Sequence, residues 1–203
     1  MAKYNDDRNF TDFVHQNIAI PQIYKKLGWT EYHLDKTESQ KIDIEKGIDY
    51  LFYNRENKTI KVQERFREES YKKYNDCTLR YKREHNSHAD RLLSEYFKLQ
   101  ADVLVYGITN GTKPRENRHT VTSFIKCVLI DLNVLYKQIS LEKIIFDTTI
   151  YRSKIVGGRM IAPINKNSDD SSSFVAFDIK QLHKLFGNEN IIICQKGYFQ
   201  VCS

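Results

Sequence analysis

The chain has 203 residues, 40% apolar, 12% aromatic and 29% charged, with a formal net charge of +6. That length suits one substantial domain, and the basic balance favours a polyanionic partner. No run of about 18 apolar residues occurs and the N-terminus lacks a signal-peptide core, so a cytoplasmic protein with no membrane contact is expected.

Phe10, Phe13, Val14 and Ile18 recur at helical spacing, with Asn9 or Thr11 available as a cap. Pro21 is expected to interrupt this helix, and Gly28 to end it after Ile23, Tyr24 and Leu27. Tyr32 to Lys41 reads as polar loop, and Ile42 to Ile44 as the start of strand periodicity. Two strands joined by a hairpin follow, Gly47–Phe52 and Ile60–Arg67. Thr78 to Tyr81 suggests another strand, residues 82–90 an exposed segment, and Leu92, Leu93, Tyr96, Phe97 and Leu99 a second amphipathic helix. The apolar strand Val103–Ile108 comes next, then a turn-rich loop over 110–119. A strand over Phe124–Leu132, a helix over Leu135–Ile144 and a strand over Met160–Ile164 are predicted. The polar run Asn167–Ser173 reads as loop, Ile179–Phe186 as helix and Ile191–Cys194 as strand. This order implies a mixed α/β domain, one central mixed sheet flanked by helices, spanning residues 1–203. The four cysteines, Cys77, Cys127, Cys194 and Cys202, lack metal-ligand spacing and imply reduced thiols.

Register decides what the hairpin brings together. If Asn54 pairs with Lys58, Asp49 lies opposite Gln63, with Cβ atoms about 5 Å apart. Asp49, Lys61, Gln63, Arg65 and Arg67 then share a polar face, while Ile48, Tyr50, Phe52, Ile60, Val62 and Phe66 share an apolar one. A one-residue shift would instead set Glu64 against Asp49 and split the apolar set less cleanly. In the first register Glu64 points into the core and needs a cationic partner such as Arg80.

Gly47-Ile48-Asp49 on one strand, then Gln63-Glu64-Arg65 on the next, resembles the PD-(D/E)xK nuclease superfamily, with Gln-x-Arg in place of Asp/Glu-x-Lys. The resemblance covers roughly residues 10–110 and leaves about 120–203 as a C-terminal extension. It implies a restriction endonuclease-like core, DNA as partner, Mg²⁺ or Mn²⁺ as cofactor, and room for a homodimer. Carried over by position, Asp49 and Gln63 become metal ligands, with Glu64 the compensating carboxylate, and Arg65 takes the third catalytic position. A carboxylate-held metal neutralises phosphoryl charge and supplies hydroxide near neutral pH. Arg65 can grip a phosphate with two hydrogen bonds but, always protonated, cannot act as a base.

Asp43, Glu45, Asp12, His15 and Gln16 are further candidates to adjoin the site. Lys61, Arg67, Lys72, Lys73, Arg80, Lys82, Arg83, Lys113, Arg115 and Arg118 are the candidate phosphate contacts. Two rival readings stand beside the nuclease. One is a non-catalytic nucleic-acid-binding or accessory protein on the same fold. The other is a protein-interaction module, of phage or mobile-element type, whose basic face meets an acidic protein.

Overall fold

The computed structural model describes residues 2–83, 96, 99–167 and 172–198. Helix α1 (Ala2–Val14) starts well before Asn9 and continues without a break through a π-helical stretch, His15–Tyr24, and a last turn, Lys25–Leu27. Pro21 therefore lies inside the helical run instead of breaking it. Proline removes one backbone donor and crowds the carbonyl four residues back; an i→i+5 ladder relieves that crowding. Gly28 closes the run at φ 73°, donating to the Lys25 carbonyl, which is the left-handed stop expected of it.

Strand β1 (Thr30–Tyr32) and helix α2 (Lys36–Lys46) replace the expected loop and the expected strand over Ile42–Ile44. Asp35 caps α2 by accepting the Thr37 and Glu38 N–H groups at 2.8 and 2.9 Å. Asp35 followed by Glu38 is the spacing of a capping box, a start signal that outweighs the weak apolar periodicity behind it. The hairpin follows as β2 (Tyr50–Tyr53) and β3 (Thr59–Arg67), then β4 (Asp76–Arg83) and β5 (Val103–Thr109). The 110–119 loop carries a short 3₁₀ turn, Arg115–Thr120. Next come β6 (Phe124–Asp131), α3 (Leu132–Ser140), β7 (Ile144–Asp147), β8 (Lys154–Val156) and β9 (Arg159–Lys166). The chain continues through β10 (Ser172–Asp178), α4 (Ile179–Phe186) and β11 (Ile192–Lys196). Apart from Tyr96 and Leu99, the helix expected around Leu92–Leu99 lies outside the described residues, as does Cys202; Cys77, Cys127 and Cys194 are free thiols.

The expected single sheet is two sheets. The first has strand order β1-β2-β3-β5-β6-β11, with β3 and β5 parallel and every other pair antiparallel. The second runs β4-β10-β9-β7, with β8 on β9. Residues beyond 120 enter both sheets: β6 and β11 widen the first, and β7 to β10 build most of the second.

Period-2 alternation explains the layering. Leu104, Tyr106, Ile108, Val128 and Ile130 leave one face of the first sheet and join Cys77, Leu79, Met160, Ala162, Val175 and Phe177 of the second in one buried cluster. Val103, Val105, Cys127 and Leu129 leave the opposite face and meet Phe10, Val14, Ile18 and Tyr24 of the N-terminal helix. Strand β5 is accordingly buried along its whole length, as a strand covered on both faces must be. Each fully buried Leu or Phe in these layers contributes roughly 1.5–3 kcal/mol. The layers are helix, sheet, sheet, and the hairpin lies beside β1, an edge strand of the middle one.

Candidate active site

The turn sets the register. The Asn54 N–H donates to the Lys58 carbonyl at 3.0 Å, Tyr50 pairs with Val62 and Phe52 with Ile60. Asp49 therefore lies opposite Gln63, as the first of the two registers requires. Its own N–H donates to the Val62 carbonyl at 2.9 Å. Strand β2 begins at Tyr50, whereas β3 continues beside β5 to Arg67. Past Val62, the next β3 donor on this edge is the Glu64 N–H, and β2 has no backbone carbonyl paired with it.

The Asp49 side chain takes that place. Its Oδ2 accepts the Glu64 N–H at 2.7 Å and the Gln63 Nε2–H at 2.8 Å. Asp49 is 7% exposed and Gln63 8%. Gln63 Oε1 is buried and, among the described residues, accepts no hydrogen bond. A Cβ added at Gly47 would lie 3.4 Å from that oxygen, and Gly47 also needs φ 62° to end α2. Glycine thus serves the backbone turn, and the tighter neighbour of such a Cβ is Leu99 Cδ1 at 3.1 Å.

Two helices bring further charge to Asp49. Arg8 of α1 donates from Nη1 to Asp43 Oδ2 of α2 at 2.9 Å, and the same nitrogen lies 3.5 Å from Asp49 Oδ1. Its Nε is 3.0 Å from Asp12 Oδ1, and the Tyr50 hydroxyl donates to that oxygen at 3.2 Å. Burial, then the neighbouring Asp43, push the Asp49 carboxyl well above the usual range, against the opposing pull of the Glu64 N–H and Arg8. Arg8 loses some stability of its charge to burial, but Asp49 and the other acids more than restore it. Asp12 and Asp43 thus do adjoin the site; Glu45 and Gln16 are exposed on their helices.

Glu64 turns the other way. Its carboxylate is buried beneath the N-terminal helix, 2.9 Å from His15 Nδ1, and Oε1 accepts the Tyr24 hydroxyl at 2.5 Å. His15 is fully buried, its Nε2 is 3.5 Å from Glu31 Oε2, and its ring stacks on Tyr50 at 3.5 Å and 3°. The cationic partner of Glu64 is therefore His15 and not Arg80, and Glu64 does not converge with Asp49 as a metal ligand. Adjacent strand residues point to opposite faces, and this register sends Gln63 to one and Glu64 to the other. Ile48 also departs from the expected apolar face and packs in the cluster between the sheets.

Arg65 shares the Asp49 face, but its Nη1 donates to the Thr78 carbonyl of β4 at 2.7 Å and ties the two sheets together. The face read as polar is thus partly roofed by the second sheet. Further along, Arg67 lies over the Tyr71 ring and Lys73 over Tyr74, at 5.1 and 5.2 Å from the ring centroids. With Lys72, paired to Glu69 at 2.8 Å, Lys73, Tyr71 and Tyr74 make an exposed basic and aromatic patch that the half-buried Arg67 adjoins. Arg118 instead pins its loop, donating to the Asn9 and Lys113 carbonyls, and Lys113 approaches the Phe10 ring. Lys61 is exposed at the hairpin. Arg80, half-buried, and Lys82, exposed, lie on β4, away from Asp49's own sheet. The side chains of Arg83 and Arg115 lie outside those described.

Arg8 is the residue that sequence reasoning missed. Its signal was the Arg8–Asp12 spacing, the i,i+4 pair of a helix face. Among the described residues no trio of His, Cys, Asp and Glu is arranged to hold a metal ion; the acids are gathered around the guanidinium instead. The oxygens of Asp49, Asp43 and Asp12 and the unused amide oxygen of Gln63 are of the kind a hard divalent cation takes, but the three carboxylates are arranged around Arg8. No helix among the described residues is long and apolar enough to cross a membrane. Comparison with models of known families, with curated proteins and with solved structures found no match.

Proposed function

We propose that the protein is a DNA phosphodiesterase of the PD-(D/E)xK type that depends on Mg²⁺ or Mn²⁺. The observation that carries this reading is the Asp49–Gln63 pair, opposed in register where β3 runs on past β2, with the Gln63 amide oxygen left over. Support also comes from the order of elements: a helix, three antiparallel strands β1, β2 and β3, and then β5 parallel to β3. The resemblance implies a helix before the hairpin and, after it, a helix that feeds a strand.

Asp49 and Gln63 would hold the metal, with Asp43 or Asp12 as further oxygen donors. The bound cation would neutralise phosphoryl charge and lower the pKa of its water. Asp49 is preset for this by the Glu64 N–H, which fixes one carboxylate oxygen and leaves Oδ1 turned toward Arg8. Arg65 holds the second sheet against β3 and so sets the roof over the site. The patch of Arg67, Lys72 and Lys73 beside Tyr71 and Tyr74 would carry the backbone and stack exposed bases.

The test is incubation with plasmid and single-stranded DNA in Mg²⁺, Mn²⁺ or EDTA, beside Asp49→Ala. Cleavage that requires metal and disappears in the variant is expected. Intact, salt-sensitive DNA binding without cleavage would replace the enzyme by the second reading, a nucleic-acid-binding protein. That reading is favoured by the engagement of Arg65 with Thr78, which removes the cation expected beside the scissile phosphate.

A further inference from the structure

We propose that the second sheet carries a site for single-stranded nucleic acid, in which Tyr151 stacks on an unpaired base and Lys82 and Lys166 hold the backbone. The site is separate from Asp49 and does not depend on hydrolysis there. An open cleft of about 730 Å³ lies where β4, β9 and β10 meet the loop between β7 and β8. That volume falls among small-ligand sites, roughly 300–1,000 Å³. Among the described residues its lining includes Tyr81, Tyr151, Ile164 and Asn165, the two lysines, and no acid.

Strand register places the lysines. Ser173 of β10 pairs with Lys82 of β4 on one side and with Lys166 of β9 on the other. Paired residues share a sheet face and neighbouring strands lie about 4.8 Å apart, so the lysine backbones flank Ser173 roughly 10 Å from each other. Both lysines are exposed, while Ser173 is buried between them. Two like charges in one row repel, and a polyanion laid across the row relieves that repulsion. The sequence extends this field: between Thr148 and Asn167 lie Arg152, Lys154, Arg159 and Lys166, and no Asp or Glu. The first three are exposed on or beside the β8–β9 hairpin, whose turn is Gly157-Gly158.

Tyr151 supplies the stacking surface. It is 87% exposed, whereas the chain beneath it is strapped to the sheet. Asn165 Nδ2 donates to the Tyr151 carbonyl at 3.5 Å, and the Ser153 hydroxyl to the Ala176 carbonyl at 3.0 Å. Gln181 of α4 donates to the Ser153 carbonyl at 2.9 Å. A ring held out on a fixed backbone loses little further freedom on binding. Aromatic rings accept the face of any base, but in a duplex those faces are already stacked. An extended strand therefore fits where a duplex does not: its bases reach the cleft while its phosphates follow the lysine row. A carboxylate-rich peptide would satisfy the lysines alone.

The test is fluorescence anisotropy of a labelled oligothymidylate of about ten nucleotides with the full chain, in EDTA so that metal-dependent cleavage plays no part. Oligouridylate and a duplex of the same length, and polyglutamate, are the comparison probes. Tyr151→Ala, its folding checked by circular dichroism, is expected to weaken single-strand binding about tenfold and to leave duplex binding unchanged. Lys82→Gln combined with Lys166→Gln is expected to lower the log–log salt slope by about 1.4. Either oligonucleotide responding in this way supports the proposal, and which of them responds names DNA or RNA as the source. Unchanged binding of both by Tyr151→Ala would overturn it and leave the reading at Asp49, which cleavage judges, standing. An equal loss on the duplex would overturn it too, making the surface a general backbone contact. Polyglutamate bound in place of the oligonucleotides would overturn it in favour of an acidic protein. No binding of any probe would do the same without naming a partner.

Discussion

The two faces of β3 carry neighbouring residues into opposite situations. On one side Asp49 and Gln63 meet a semi-exposed arginine and keep an unused acceptor. On the other, one residue along, Glu64 is sealed with His15, Tyr24 and Glu31 and held on both sides of the imidazole. The acidic side chain on the first face is held by a counter-ion that reaches the surface. An acidic side chain paired to a fully buried histidine is equipped to hold a helix on a sheet. A motif read by residue type alone would give both the same role; register and burial separate them.

The largest expected effect lies on the first face. Asp49→Ala should lower metal-dependent cleavage by about 10³-fold or more, roughly 4 kcal/mol of transition-state stabilisation, measured as plasmid nicking rate. Unchanged cleavage would remove Asp49 from the chemistry and erase the contrast. On the second face Glu64→Ala should cost about 3–5 kcal/mol in urea unfolding, because it takes from the buried His15 its nearer carboxylate and from the Tyr24 hydroxyl its acceptor. Gln63→Ala, which removes one amide donor, should cost only about 1 kcal/mol. Equal costs would mean that both faces are structural.

The next effect is one of pH. Burial pulls the His15 pKa down, but its contacts with Glu31 and Glu64 prevail and raise it to about 9 from 6.5. A raised histidine stabilises the fold fully below its unfolded pKa and loses that contribution as pH climbs through the folded value. Thermal stability should therefore fall between about pH 6.5 and 9, and Glu31→Gln should shift that fall to lower pH. A flat profile across this window would show that His15 is neutral in the folded protein. The smallest effect concerns Tyr50, which touches both faces through its stack on His15 and its bond to Asp12. Tyr50→Phe should cost about 0.5–1.5 kcal/mol and leave the His15 midpoint in place. A moved midpoint would show that the faces are coupled.

The hairpin was legible because two strong signals agreed. A short polar turn set Asn54 against Lys58, and the apolar alternation of Tyr50, Phe52, Ile60 and Val62 chose the same register. Gly28 as a helix stop, the buried β5 and helix α4 were readable for similarly local reasons. The second sheet was not. Strands β7 and β8 are short, β10 opens on serines, and its pairing with β4 is a contact between distant parts of the chain that no local pattern announces. Helix α2 is polar apart from Ile42 and Ile44, so its Asp35 cap was its chief mark. Arg8 lies ahead of Phe10, the first apolar residue of the helical pattern, and so was not placed on a helix at all. The candidate site was partly legible: Asp49 and Gln63 came from the hairpin and Asp12 and Asp43 were candidates to adjoin it, whereas Arg8, which joins them, was missed.

The placement of β4 has a consequence for how the chain comes together in time. It is made early, directly after β3, yet its hydrogen-bonding partner is β10, with Asp76 opposite Asp178 and Arg83 opposite Ser172. The first sheet likewise waits for β11 to cover β6. Contacts of such long sequence separation demand loop closure before they repay it, which slows folding. A chain stopped near residue 110 would carry Leu79, Leu104 and Tyr106 with nothing to cover them, and would collect in aggregates. Synthesis must therefore run almost to its end before the roof over Asp49 can close.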